Sequence, residues 1–249
     1  MESALLIERT VEDSHEVWQF DGSRALGPDF WHKLHELAEN TSDSVASVTL
    51  DGGENFSIGT DLAWLSRGLR RAERRGEFGT FVELGRTARS AFDALQRLPA
   101  PLFALCRGAV TGAGAELASI ADMRLCLREA RVSLPEAKLG MLPDFCSISE
   151  IVAALGSSDA RRCLLLQDVI IASASSPSPF FDSYPASRDD ALIEIRDVAR
   201  MCARGGVLSE LRQHLKRRAC GSAEEAAQWN EENASLGDVM AAIRIMTRE

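Results

Sequence analysis

The sequence predicts an α/β domain over residues 1–187 followed by a helical region over residues 188–249. Two strand-to-helix handovers carry the prediction. In the first, the apolar run 101–106 passes through Arg107-Gly108 and the small residues Thr111-Gly112-Ala113-Gly114-Ala115 into a segment of helical composition, 117–121. In the second, the strand-like residues 131–134 meet Pro135-Glu136, where proline ends ladder donation and suits the first position of a helix. The third observation is that only helical patterns follow from Asp189 onward.

The remaining elements follow in order. Residues 4–7 and 16–20 read as two short strands around the polar turn Glu12-Asp13-Ser14. Trp31, Leu34, Leu37 and Ala38 then recur at helical spacing. His32 and His35 share that helix, but no third ligand is near in sequence, so they read as a solvated or half-buried face and not as a metal pair. Residues 45–50 alternate as a strand and turn at Asp51-Gly52-Gly53-Glu54, which delivers residues 56–62 to the strand's end. Arg67 to Arg75 holds five arginines. Such a run is usually a solvated helix face; the alternative is a contact with phosphate. Phe78, Phe81, Leu84, Ala88, Ala91, Phe92, Leu95 and Leu98 trace the core face of a long helix ending before Pro99. Ile148, Ile151, Val152 and Leu155 form a helix stopped by Gly156, a second helix covers 159–166, and the apolar run 169–172 gives way to a Ser- and Pro-rich loop. The last helix carries Trp229, Leu236, Val239, Ile243 and Met246, an apolar stripe that needs cover from the core or from a neighbouring subunit.

Composition excludes several classes. A chain of 249 residues, 45% hydrophobic, can bury one sizeable core. A net charge of −9 argues against nucleic acid as a partner. The absence of a span-length apolar run and of a basic-then-apolar start argues against membrane insertion and secretion. Six cysteines without a Cys-x-x-Cys pair read as reduced thiols of a cytoplasmic protein.

The chemistry concentrates at the two handovers. Glycines at 112 and 114 let a ligand approach the backbone, and the free N–H groups of a first helical turn favour an oxyanion. Glu116 falls in that turn and Glu136 at the next helix start. Either could merely complement the helix dipole; together they are what a hydration or proton-shuttling site needs.

Three motifs then resemble the crotonase (enoyl-CoA hydratase/isomerase) superfamily. Gly112-Ala113-Gly114-Ala115-Glu116-Leu117-Ala118 is similar to the family's Gly-Gly-Gly-x-Glu-Leu-Ala turn. Pro135-Glu136 with Gly140 and Pro143 is similar to its Pro-Glu-x-x-x-Gly-x-x-Pro segment, and Phe56-Ser57-Ile58-Gly59-Thr60-Asp61-Leu62 to its Phe-Ser-x-Gly-x-Asp-Leu motif. They occur in family order, and the resemblance covers about residues 45–172. It implies a spiral of ββα units with a C-terminal helical trimerisation region, and assembly as a homotrimer or hexamer. It implies an oxyanion hole from the backbone N–H groups of Thr60 and Ala113, with Ile58, Gly59 and Gly112 beside the substrate and Glu116 and Glu136 as acid and base. No resident cofactor is implied; coenzyme A or phosphopantetheine enters as part of an acyl-CoA or acyl-carrier-protein substrate, with Arg70 and Arg74 as candidate phosphate contacts. Where relatives carry an Asn-Arg-Pro loop near the nucleotide, this chain has Asp21-Gly22-Ser23-Arg24-Ala25-Leu26-Gly27. Three readings follow: an enoyl-CoA hydratase; a dehydratase, double-bond isomerase or decarboxylase acting on a carrier-bound chain; and a catalytically silent assembly partner.

Overall fold

The computed structural model describes residues 6–65, 80–139, 142–146, 148–203 and 210. It divides into two compact units, Met1–Arg200 and Met201–Glu249, and the candidate site lies in the first. Six strands form one sheet in sequence order: β1 (Glu8–Glu12), β2 (His15–Gln19), β3 (Ser47–Asp51), β4 (Leu102–Thr111), β5 (Met123–Ser133) and β6 (Ile170–Ser173). The hairpin β1–β2 and the edge pair β5–β6 are antiparallel, whereas β2 through β5 run parallel. Parallel neighbours need crossover connections. These are α1 (Pro28–Glu39), α2 (Thr80–Gln96) and the short α3 (Ala113–Ser119). A 3₁₀ turn (Pro135–Leu139) follows β5; α4 (Ile148–Leu165), broken at Gly156 with φ 73°, and α5 (Arg188–Ala203) complete the order.

The core follows from the pattern. β3 is buried at every position, as a parallel strand covered on both faces should be. Phe30, Trp31, Leu34 and Ala38 of α1 pack in one cluster with Ala88, Ala91, Phe92 and Leu95 of α2. At the carboxyl end of β3, buried Asp51 accepts hydrogen bonds from Arg188 (2.8 Å) and from the Gly53 N–H (3.0 Å). That contact ties the start of α5 to the strand.

Three elements differ from the expectation. The first strand is the exposed, polar Glu8–Glu12 rather than residues 4–7; at a sheet edge, hairpin geometry outweighs apolarity. β4 continues past Cys106 to Thr111 through a register shift between Cys106 and Gly108, where a Cβ would collide with Asn55 and the Glu54 carbonyl. β5 begins eight residues before Arg131, because the polar Arg128-Glu129 interruption is exposed. The described cysteines are all free thiols, and among the described residues no helix is long and apolar enough to cross a membrane.

Candidate active site

The segments singled out by motif lie beyond the carboxyl ends of β3, β4 and β5, the end of a parallel sheet where ligands bind. The first leaves β3 and runs beside β4: the Phe56 and Ser57 N–H groups donate to the Arg107 and Ala109 carbonyls, 2.9 Å each, and the Thr111 N–H donates back to Ser57. The Ser57 hydroxyl accepts the Gly59 N–H at 3.0 Å. Gly59 then takes φ +94°, where an added Cβ would lie 3.0 Å from the Thr111 carbonyl oxygen, so glycine is required for the turn. Leu26 grips both sides of Thr60, donating to the Gly59 carbonyl (2.8 Å) and accepting the Asp61 N–H (3.0 Å). Alternate backbone groups of an extended segment face opposite ways. The Thr60 N–H is therefore turned away from Leu26, and Thr60 lines a cavity on that side.

The second segment supplies the facing donor. Gly112, at φ +54°, donates its N–H to the Ser133 carbonyl (2.9 Å) and accepts the Glu116 N–H (3.0 Å). Ala113 is the first residue of α3 and has negative φ, so its methyl group is unstrained and buried. Its N–H is one of the donors a helix start leaves over. Neither it nor the Thr60 N–H has an acceptor among the described residues. Gly114 lies so close to Ser57 that a Cβ would overlap the Ser57 side chain. This contact brings the two segments together.

Both glutamates line the same cavity of about 110 Å³, with Ile58, Leu62, Trp64, Leu65 and Phe145 as its apolar walls. One water needs roughly 10–15 Å³ of such space, so a small acyl group or several waters fit. Glu116 is 2% exposed, and its Oε2 accepts the backbone N–H groups of Phe145 (2.9 Å) and Cys146 (3.1 Å). Burial nevertheless pushes its carboxyl from 4.5 up to about 7, with Glu136 and Asp144 adding repulsion. Glu136 is half-buried; its Oε2 is buried without a partner, and its Oε1 sits over Gly112, where an added Cβ would lie 2.9 Å away. Burial raises its carboxyl too. Its Oε2 therefore has a proton site to spare.

The structure thus gathers Ile58, Gly59, Thr60, Gly112, Ala113, Glu116 and Glu136 around one cavity. Arg70 and Arg74 lie outside the described residues. Two participants were not anticipated. Asp144, paired with Arg89 of α2 at 2.8 Å, is a third carboxylate on the cavity wall, raised by burial against the pull of that arginine. Phe145 has its ring held against Trp31 (5.6 Å) and Phe92 (5.9 Å), which fixes the N–H that positions Glu116.

An α/β sheet presenting two spare backbone donors and two high-pKa carboxylates around an apolar cavity defines a protein of the crotonase class. The chain belongs to the enoyl-CoA hydratase/isomerase family, whose model matches residues 24–176, more than half its length. A crotonyl-CoA hydratase of Syntrophomonas wolfei is 29% identical over 123 residues, covering 49% of this chain and 44% of that protein. The chain therefore matches less than half the length of that curated relative. Among solved structures, an enoyl-CoA hydratase/isomerase from Marinobacter aquaeolei superposes with TM-score 0.76 at 18% identity, covering 98% of this chain and 97% of that one. A Thermobifida fusca structure in complex with acetoacetyl-CoA superposes with TM-score 0.76 at 19% identity, over 91% and 92% of the two chains. At that identity the likeness establishes the fold alone.

Proposed function

We propose that the chain hydrates an α,β-unsaturated acyl thioester, or runs the reverse elimination. The observation that carries the reading is the convergence of the Thr60 and Ala113 N–H groups with the Glu116 and Glu136 carboxyls on one cavity. The thioester carbonyl oxygen sits between the two N–H groups, which stabilise the negative charge that develops as water adds to the β-carbon. Each donor of such a hole is worth about 10²–10³ in rate. Glu116, held by two backbone donors and with a carboxyl near neutrality, orients the water and takes its proton. Glu136, free of other partners at Oε2, delivers a proton to the α-carbon. The reaction is then a net addition of H and OH across the double bond, with no redox change. The crotonyl-CoA named for the relative and the acetoacetyl-CoA of the Thermobifida structure are the kind of short thioester that suits this cavity.

One observation favours a second reading. Glu136 Oε2 is buried without a partner, whereas Glu116 is anchored through its Oε2 to Phe145 and Cys146; a double-bond shift needs only one mobile proton carrier. Incubation with a short enoyl thioester separates the two. Loss of the conjugated thioester absorbance, with a hydroxyacyl product, supports hydration. Formation of a shifted alkene without water uptake supports isomerisation, and no change in a folded protein overturns both.

A further inference from the structure

The two N–H groups that hold Glu116 belong to a segment with no ladder of its own. Residues 142–146 lie outside helix and strand, and among the described residues they enter no backbone–backbone hydrogen bond. Side chains place them instead. The Phe145 ring rests on Trp31 of α1 and Phe92 of α2, both buried. One residue earlier, Asp144 Oδ2 accepts a hydrogen bond from Arg89 Nη1 at 2.8 Å. Arg89 and Phe92 are three apart and so share one face of α2. Gly85, four residues before Arg89, belongs to the same face: a Cβ there would lie 2.3 Å from that same Nη1. The guanidinium therefore reaches Asp144 across the bare backbone of Gly85.

With side chains 29% and 41% exposed, the Arg89–Asp144 pair adds little to stability, because solvent screens it. Its consequence is geometric. The peptide that joins Asp144 to Phe145 carries the N–H lying 2.9 Å from Glu116 Oε2. The ion pair and the aromatic ring fix that peptide from both sides, so a shift of either moves the carboxyl. The titratable groups facing Glu116 are Glu136 from the 3₁₀ turn, and Asp144 and Cys146 from this segment. Both carboxyls add repulsion, the Cys146 thiol is kept neutral by burial, and Arg89 offsets the charge of Asp144.

We infer that Arg89 is a positioning residue for Glu116: through Asp144, and beside the Phe145 ring, it holds the N–H groups that aim the carboxyl into the cavity. The inference deepens the hydration reading and rests on Glu116 being its base. In the full chain, Arg89→Ala should lower kcat by about tenfold or more while KM and the urea midpoint stay nearly unchanged, since a misplaced proton acceptor costs rate rather than binding. Arg89→Lys, which keeps a cation for Asp144, should recover much of the loss. Gly85→Ala favours the helix but pushes Nη1 away, so it should lower kcat without loss of stability. The double variant Arg89→Ala with Asp144→Ala should fall no further than Asp144→Ala alone. An NMR titration of the Glu116 carboxyl carbon, assigned by its absence in Glu116→Gln, reads the same arrangement without turnover. In Arg89→Ala that carboxyl should titrate at higher pH than in wild type, because Asp144 is left uncompensated and the two donors loosen. Wild-type kcat in Arg89→Ala, losses that multiply in the double variant, or an unmoved titration overturns the inference. A shifted titration in a protein that hydrates no enoyl thioester upholds the positioning and contradicts the proposed reaction.

Discussion

Replacing Glu116 with glutamine should stabilise the protein at alkaline pH while disabling it. Both backbone donors fall on one oxygen, Oε2, and the single carbonyl oxygen of glutamine can accept both. The substitution keeps shape and hydrogen bonds and removes only the titration. In the folded state the carboxyl is raised from 4.5 to about 7. Below pH 4.5 the group is neutral folded or unfolded and contributes nothing. Between the two values the unfolded chain ionises while the folded one stays protonated, so stability is lost at about 1.4 kcal/mol per pH unit. Above pH 7 the loss is complete, at about 3 kcal/mol. Glu116→Gln removes it, and the variant should gain under about 1 kcal/mol at pH 5 and about 3 kcal/mol at pH 8, a Tm rise on the order of 5–10 °C. Urea unfolding of both proteins at the two pH values measures it. An equal change at both pH values, or a loss at pH 8, would refute the reasoning, since either means that burial does not penalise this carboxylate.

The pH profile follows from the same group: a base must be ionised, so wild-type kcat/KM should fall as pH drops through about 7. A flat profile from pH 6 to 8 would remove Glu116 as the base. Gly114→Ala should push Ser57 and with it the Gly59–Thr60 turn. A cost of about 1–3 kcal/mol and a fall in kcat larger than the rise in KM would be measured by unfolding and steady-state kinetics. Leu165, Leu166, Val169 and Ile171 leave an exposed apolar strip at the β6 edge, 50–74% accessible, which accords with a trimer or hexamer. Light scattering at micromolar concentration should report three or six chain masses, and a monomer would count against it.

What the sequence made legible was local. Gly112, Pro135 and the residues around Gly59 announce strand-to-helix turns because only such residues suit a positive φ or a ladder stop, and the structure uses Gly59 and Gly112 in that way. The glutamates were readable from their offsets within those turns. Hidden were contacts between distant backbone groups. Glu116 is positioned by the N–H groups of residues 145 and 146, about thirty residues away, and nothing in the identity of Phe145 or Cys146 advertises a backbone donor. Nothing in the position of Asp144 directly after Pro143 marks it for the site, since its pairing there is with Arg89, in another helix. The first strand was misplaced because Glu8–Glu12 is exposed throughout, leaving no burial pattern to read.

The central claim is that two glutamates act on one water beneath a pair of backbone donors. The most direct measurement is hydration of a short enoyl thioester by Glu116→Gln, Glu136→Gln and the double variant, each shown to be folded and to bind a saturated thioester. The account predicts that each single change lowers kcat by about 10²–10⁴ and that the double variant falls little further, because groups acting as a unit do not lose activity additively. Losses that multiply would show two separate roles without a shared water. Undiminished turnover in the double variant would contradict the account altogether and leave both carboxyls as companions of a helix start.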